Sequence, residues 1–179
     1  MQLVQVLDVI ERLLVASEHP DIVSVERYGT ATEPWGPDVA RNRAQGSIAG
    51  VKVTHASTSS ALLNGRIAPN AVPVIAPSEV PPPSLRAPRL VMFVSQLLDV
   101  ARPREFASWQ LVSQPDGPSD LPYGIGIACA DGTNMLLMCQ STGAMVGSEP
   151  SEEPFPDYVI PEGVKTCLQE VSAHRAAPA

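Results

Sequence analysis

The sequence predicts an α+β protein in which an antiparallel sheet is covered by helices. The first observation is a hairpin signal. Asp131-Gly132 separates two apolar runs, residues 125–130 and 134–140, and glycine takes the positive φ that such a turn needs. The second observation is the order of elements. Helix, strand, loop and hairpin follow one another twice along the chain, whereas a doubly wound α/β fold alternates single strands with helices.

Residues 1–68 form the first predicted half. Apolar side chains recur at helical spacing near its start, which predicts a helix with one buried face that ends before Pro20. The polar residues 30–46 are interpreted as a long loop, and loops of this length are uncommon unless they carry a function. A helix, a strand and a two-stranded hairpin are predicted over residues 3–16, 22–28, 50–54 and 60–67.

The second half repeats this order after a proline-rich linker, residues 69–87. Proline cannot donate a ladder hydrogen bond, so the linker is predicted to stay outside the centre of the sheet. Residues 88–142 then supply a second helix, a strand and the central hairpin. Residues 143–179 are predicted to form an acidic, proline-rich loop and a C-terminal helix that Pro161 begins. We expect the halves and this extension to make one compact domain.

An ungapped alignment of residues 50–63 with residues 124–137 suggests an internal duplication. The identical positions are Gly50 with Gly124, Ala56 with Ala130, and Leu62-Leu63 with Leu136-Leu137. The order of the elements matches as well, so the two hairpins could pair or pack about a pseudo-two-fold axis. The alternative is that periodicity makes any two stretches of one helix and three strands look this similar.

The order of predicted elements resembles that of the small secretion chaperones of type III secretion systems. A helix and three strands are followed by a second helix, two or three strands and a last helix. The resemblance covers most of the chain as an order of elements. It implies an α+β fold and a chaperone-like function, and it assigns no binding residue in this sequence.

Composition and charge narrow the classes of partner. The 179 residues carry a net charge of −7, which argues against nucleic acid and anionic membranes because clustered Lys and Arg bind both. The apolar runs are too short to cross a bilayer, and no signal peptide is predicted. Three cysteines, an odd number, argue against a disulfide framework and for a reducing, cytoplasmic location.

A catalytic site is one hypothesis for His55, Cys129 and Asp131. In the alignment His55 falls on Cys129, and Asp131 lies two residues further on, so a nucleophile, its base and an orienting carboxylate could meet. The alternative, which we favour, is a buried cysteine and a histidine at a strand end, because no nucleophile motif surrounds Cys129. No histidine has metal-ligand spacing and no phosphate-binding loop occurs, so neither metal nor cofactor is predicted.

A second hypothesis concerns acidic and aromatic residues that lie close to prolines. The candidates are Trp35, Glu149, Glu152, Glu153, Phe155, Asp157 and Tyr158. The carboxylates would attract a basic protein partner and the rings would anchor it, while the prolines reduce the conformational entropy that docking costs. The alternative is a solvated acidic loop, as such charge runs usually are.

These observations together predict a cytoplasmic, non-enzymatic module that binds another protein, either as a chaperone-like protein or as an accessory subunit of a larger assembly. A homodimer is compatible with the sequence. One alternative is a small enzyme or small-molecule-binding protein with a pocket between the two halves. Another is an immunity-type inhibitor, whose acidic surface would block a basic toxin.

Overall fold

The computed structural model describes residues 1–29, 49–57, 59–68, 74–77, 79–113, 120–142 and 150–169. Three helices occur in these residues: α1 (Leu3–Ala16), α2 (Arg86–Ala101) and α3 (Gly163–Thr166). Six strands form one antiparallel sheet: β1 (Ile22–Tyr28), β2 (Ala49–His55), β3 (Ser60–Ile67), β4 (Phe106–Val112), β5 (Gly124–Cys129) and β6 (Asn134–Thr142). The predicted α+β class is confirmed.

Two helix boundaries differ from the predicted ones. Helix α2 begins at Arg86 instead of Pro88. Pro88 is tolerated there because the first turn of a helix leaves its N–H groups without partners inside the helix. Within the described residues, the predicted C-terminal helix is a single turn, α3.

The centre of the sheet is the pairing of β3 with β6. The strand order is β1-β2-β3-β6-β5-β4, and β3 pairs antiparallel with β6 from Ser60 opposite Thr142 to Ile67 opposite Met135. Each hairpin, β2–β3 and β5–β6, contributes its second strand to this pairing. The two hairpins therefore hydrogen-bond to each other, with β1 and β4 as the outer strands.

The hydrophobic core lies on one face of the sheet. Helix α1 contacts β1, β2 and β3, helix α2 contacts the four strands from β3 to β4 in sheet order, and the two helices contact each other. Alternate strand residues point toward them, for example Val51, Leu63, Ile125 and Leu137, and all of these are fully buried. Both helices bury one apolar stripe in return, as the helical spacing predicts.

Strand β6 is apolar on both faces. Leu136 and Leu137 point to opposite faces because side chains alternate along a strand, and both are fully buried. On the face opposite the helices, Tyr28 and Asn64 are also buried, and the Tyr28 hydroxyl donates to Asn64 Oδ1. Burial raises the pKa of Tyr28 above its ordinary value. The sheet therefore buries side chains on both sides at its centre, as is usual for a strand that is apolar on both faces.

The hydrogen bonds at the ends of the two hairpins correspond in detail. The His55 amide donates to Ser59 O at 2.9 Å, and the Cys129 amide, at the aligned position, donates to Thr133 O at 2.8 Å. The residues after them, Ala56 and Ala130, each donate at 2.9 Å to the carbonyl of an acidic residue just before the preceding edge strand, Asp21 and Glu105. A register shift also occurs at the start of both edge strands.

Part of the proline-rich segment pairs with the outer edge of the sheet. Val74 forms a bridge with Val112, and the Ile75 amide donates to Leu111 O at 3.0 Å. The described residues of the segment lie outside the sheet centre, and proline is confined to sheet edges because it cannot donate a ladder hydrogen bond. It is therefore more than a linker, because it pairs with part of the free edge of β4.

The central hairpin turn has the predicted geometry. Gly132 has φ of +86°, its amide donates to Cys129 O at 3.0 Å, and the Asp131 side chain accepts from the Thr133 amide at 3.0 Å. A Cβ on Gly132 would meet no atom within 4 Å. A substitution at this position therefore lowers stability through strain in the backbone at positive φ, and not through a clash with neighbouring atoms.

Replacing Gly132 by Val should destabilise the protein by roughly 1–3 kcal/mol, because a β-branched residue is strained at positive φ. Gly132→Asn is the matched control and should cost less, since asparagine tolerates this conformation. The free energy of unfolding of each variant, measured with a chemical denaturant, checks the prediction. Equal stability of the Val variant and the wild type would contradict it.

Candidate functional site

The structure does not bring His55, Cys129 and Asp131 together. His55 ends β2 and Cys129 ends β5, with β3 and β6 between them, which is about 14 Å across the sheet at ordinary strand spacing. They also lie at opposite ends of the sheet, because His55 is next to the start of β3 and Cys129 next to the start of β6. Asp131 contacts the amino group of Met1. The sequence alignment relates these positions without making them neighbours.

The three cysteines are free thiols. Burial raises the pKa of the Cys139 thiol to about 12, and it also raises the pKa of Cys129. Both side chains are buried, while Cys167 is partly exposed. A thiol held in its protonated form is a poor nucleophile. The environment of Cys129 therefore favours the interpretation as a core residue.

Cys167 should be the first cysteine to react with an alkylating reagent at neutral pH, with Cys129 and Cys139 much slower because burial disfavours their thiolates. Mass spectrometry of a labelling time course on the native protein checks this order. The denatured chain is the control, in which all three should react at similar rates. Selective, rapid modification of Cys129 in the native state would contradict this assignment.

His55 instead belongs to a cluster of charged groups at its own end of the sheet. Its Nδ1 lies 3.2 Å from Asp21 Oδ2, and an Arg86 nitrogen donates to the same oxygen at 2.6 Å. A second Arg86 nitrogen donates to the Ser57 hydroxyl at 2.8 Å, and Asp21 Oδ1 accepts from the Ala56 amide at 3.3 Å. His55 and Arg86 are 5% and 7% exposed. Three separate parts of the chain thus meet in one buried network.

Asp21 carries the negative charge of this network. Burial opposes its ionisation, but the hydrogen bond from His55 and the nearby Arg86 guanidinium outweigh burial and lower its pKa below the ordinary value. An ionised carboxylate only accepts hydrogen bonds. The hydrogen bond between His55 and Asp21 therefore places a proton on His55 Nδ1.

Replacing Asp21 by Asn should lower the free energy of unfolding at neutral pH by roughly 2–3 kcal/mol, since it removes the carboxylate that the buried His55 and Arg86 side chains contact. The folded-state pKa of Asp21 is depressed, so its stabilisation is present above the unfolded pKa and is lost as the pH falls through the lower folded-state pKa. The difference in the free energy of unfolding between Asp21→Asn and the wild type should therefore become smaller in acid.

Denaturant unfolding at neutral pH and at about pH 3, below the ordinary aspartate pKa, measures this difference. The exposed Asp157→Asn is the matched control and should change stability little at either pH. A deficit of Asp21→Asn that stays constant into acid would contradict the electrostatic assignment.

Four aromatic rings pack together beside this network. They come from the turn after α1, from α2 and from residues 150–169. The His19 ring lies 5.1 Å from Phe93, 5.8 Å from Phe155 and 4.2 Å from Tyr158, measured between ring centroids. Phe93 and Tyr158 are 6.0 Å apart in an edge-to-face arrangement. Burial lowers the pKa of His19, with Arg89 adding to the effect and Asp21 opposing it. Its ring therefore packs in the neutral form.

Further contacts hold residues 150–169 against the helices. The Tyr158 hydroxyl donates to Ser17 O at 2.7 Å, Glu153 forms an ion pair with Arg89, and Arg12 donates to Cys167 O. Val164 of α3 is fully buried in the core. The segment is thus a part of the fold and forms one wall of a surface groove.

The groove has a volume of about 640 Å³. Helix α2 forms the opposite wall, and apolar and aromatic side chains make up much of the lining: Met92, Phe93, Val100, Phe155, Tyr158 and Ile160. Its charged lining residues are paired with each other, Arg89 with Glu153 and Lys165 with Glu162. An apolar groove with a charged rim is the usual form of a binding site.

The predicted partner-binding residues divide into three groups. Phe155 and Tyr158 are partly buried against the same chain, and Glu153 is ion-paired. Glu152 and Asp157 are exposed, are next in sequence to lining residues without lining the groove themselves, and make no ion pair within the described residues. Trp35 and Glu149 lie outside the described residues. Of the described candidates, Glu153, Phe155 and Tyr158 line the groove.

The sequence did not identify Asp21, Arg86, Arg89 or Phe93 as site residues. Asp21 and Arg86 are separated by 65 positions, and no local spacing links them. A weak signal was available, because two arginines lie in the first turns of a helix that is otherwise apolar there.

Comparisons with protein families, with curated proteins and with solved structures find no match for this chain. Among the described residues, no group of three or more His, Cys, Asp or Glu side chains is arranged to hold a metal ion. The helices of the described ranges also include none that is long and apolar enough to span a membrane. A function must therefore be argued from the geometry of the groove and of the charged network.

Proposed function

We propose that the protein is a non-enzymatic protein-binding module, chaperone-like or an accessory subunit of a larger assembly. Its partner would dock an apolar segment into the groove beside α2. The observation that carries the proposal is the groove itself, in which partly buried aromatic and aliphatic side chains face solvent together. Grooves of this kind bind peptide segments through a few apolar anchors.

The charges around the groove favour a partner with basic residues next to its apolar anchors. Arg89 and Lys165 are already paired with carboxylates of the same chain, so they add little positive potential. Glu152 and Asp157 are exposed nearby, and the whole chain carries a net charge of −7. Complementary charge of this sign speeds association and selects partners.

We also propose that the two halves arose by duplication. The matched hairpin-end hydrogen bonds support this, and so do two glycines. A Cβ on Gly50 would meet Tyr28 and Leu63 O, and one on Gly124 would meet Val112, Met138 and Leu137 O. Leu137 is aligned with Leu63, and Val112 pairs with Gly124 as Tyr28 pairs with Gly50. A reducing, cytoplasmic location is supported by the three free cysteines. A duplicated fold would leave one half free to acquire a binding role.

A small-molecule-binding protein is the second candidate. The groove volume of about 640 Å³ falls within the range of roughly 300–1,000 Å³ that such sites have. This candidate differs from the first in one observable: a ligand retained through purification instead of a protein partner. An inhibitor of a basic toxin would be a special case of the first proposal.

A photo-crosslinking residue at Gln96, an exposed position in the groove wall, should capture one partner protein from the native host. The matched control is the same residue at Gln110, which is exposed on β4 and outside the groove lining. Mass spectrometry identifies the adduct. Capture from both positions, or from neither while a small molecule is retained by the purified protein, would contradict the protein-binding proposal.

Charge reversal tests the predicted character of the partner once it is identified. Glu152→Lys should weaken binding about two- to fivefold, the range expected of an exposed rim charge, and the effect should shrink at high salt because exposed charges are screened. Asp120→Lys, equally exposed but outside the groove lining, is the control and should bind as wild type. An equal loss of affinity in both variants would contradict a specific contribution of charges near the groove.

A further inference from the structure

The outer wall of the groove is a segment without regular secondary structure. Residues 153–162, which we call the strap, contain no helix and no strand. Within the described residues, no backbone hydrogen bond joins the strap to the sheet, to α1 or to α2. Its position therefore depends on side-chain contacts, and segments held in this way open locally at a low cost in free energy.

The two ends of the strap are held by contacts that do not involve the groove-facing rings. Near its start, Glu153 forms an ion pair with Arg89 of α2. Directly after its end, α3 buries Val164 in the core. The middle of the strap can therefore move while both of its ends stay in place.

His19 contacts both aromatic side chains in the middle of the strap. Its ring centroid lies 5.8 Å from that of Phe155 and 4.2 Å from that of Tyr158, and on α2 it packs against Phe93 at 5.1 Å. Its Nδ1 accepts a hydrogen bond from the Asp21 amide at 3.1 Å. A ring nitrogen that accepts a hydrogen bond carries no proton, so the packed ring is neutral and its proton is on Nε2.

A second proton on His19 would disrupt this packing. It would go onto Nδ1 and place two N–H groups against each other where the Asp21 amide now donates. Burial lowers the pKa of His19, an effect that Asp21 opposes and that Arg89 and His55 increase. The titratable and charged groups around the ring come from four parts of the chain: Asp21 before β1, His55 of β2, Arg86 and Arg89 of α2, and Tyr158 of the strap.

We propose that the strap is a pH-sensitive switch: the neutral His19 ring holds Phe155 and Tyr158 in the groove wall, and protonation of the ring releases the middle of the strap. Release would move this wall away from α2 and take two aromatic side chains out of the groove lining. It needs no partner molecule. Only its consequence, weaker binding of a partner in acid, rests on the proposed function of the groove.

The pH range follows from the linkage between protonation and packing. The pKa of His19 is lower in the packed state than the ordinary value, so the stabilisation of the packed strap is fully present above the ordinary histidine pKa of about 6.5. It is lost as the pH falls through that value toward the lower pKa of the packed state. Measurements between about pH 7.5 and 5.5 stay above the ordinary carboxyl pKa values of about 4, which separates this switch from acid denaturation.

Quenching of a fluorophore reports the position of the strap directly. Bimane is attached to Val159→Cys, a strap position that is 79% exposed, and Gln96→Trp places a quencher on the α2 wall of the groove. Cys167→Ser removes the partly exposed native thiol. Emission should rise as the pH falls, with a midpoint below about 6.5, because tryptophan quenches bimane only at short range. The labelled protein without Gln96→Trp corrects for any effect of pH on the dye.

His19→Gln is the decisive variant, because glutamine takes up no proton in this range. The pH dependence of the emission should disappear in it, whether its strap stays packed or stays released. An NMR titration of the His19 ring gives the reciprocal measurement. Tyr158→Ala should raise the pKa of His19 toward its ordinary value, whereas Val159→Ala, at the next and exposed position, should leave it unchanged.

Three results would overturn the proposal. The first is a quenching signal that does not change with pH, and the second is the same change with His19 and in His19→Gln. The third is a His19 pKa that is not lowered in the wild type or that Tyr158→Ala leaves unchanged. Both measurements use the protein alone, so failure of the switch and failure of the protein-binding proposal are distinguishable.

Discussion

The pairing of β3 with β6 is the constraint on which the rest of the structure depends. It joins two three-stranded halves through eight opposed residue pairs and brings apolar side chains such as Leu63 and Leu137 onto the face that contacts the helices. Without it, each half would expose an inner edge of unpaired backbone groups and one side of its core. Both faces of this central strand pair, the seam, are buried, as Leu136 and Leu137 demonstrate. A shift of the pairing register by one residue would therefore move every side chain of one strand to the opposite face.

This seam also decides where chemistry can occur. Antiparallel pairing at the centre sends the ends of β2 and β5 to opposite ends of the sheet, so the aligned residues His55 and Cys129 have different neighbours. His55 meets a carboxylate and a guanidinium, whereas Cys129 is a buried thiol whose pKa burial raises. The two halves share an order of strands but differ in the side chains around the aligned positions. Those neighbouring side chains, such as Asp21 and Arg86, come from outside the aligned residues 50–63 and 124–137.

Helix α2 connects the two candidate sites. Arg86 is buried and pairs with Asp21, while Arg89, one turn later, pairs with Glu153 at the groove. The ring of His19 packs against Phe93 and Tyr158 between them. The charged network and the groove are therefore adjacent, and side chains of α2 contact both.

The sequence by itself determined most of the helices and strands and the central turn. The spacing of apolar residues, the positions of prolines and the positive φ at Gly132 all depend on residues close together in the chain. Of the second hairpin, only β6 lies at the centre of the sheet, while β5 is next to the edge strand β4. Only the tertiary structure decided the groups around His55, the packing of Tyr158 on His19, and the separation of His55 from Cys129. Contacts between residues as distant in sequence as Asp21 and Arg86 depend on the order of the strands and the placement of the helices. Burial of the whole core determines that arrangement, and no local sequence pattern encodes it.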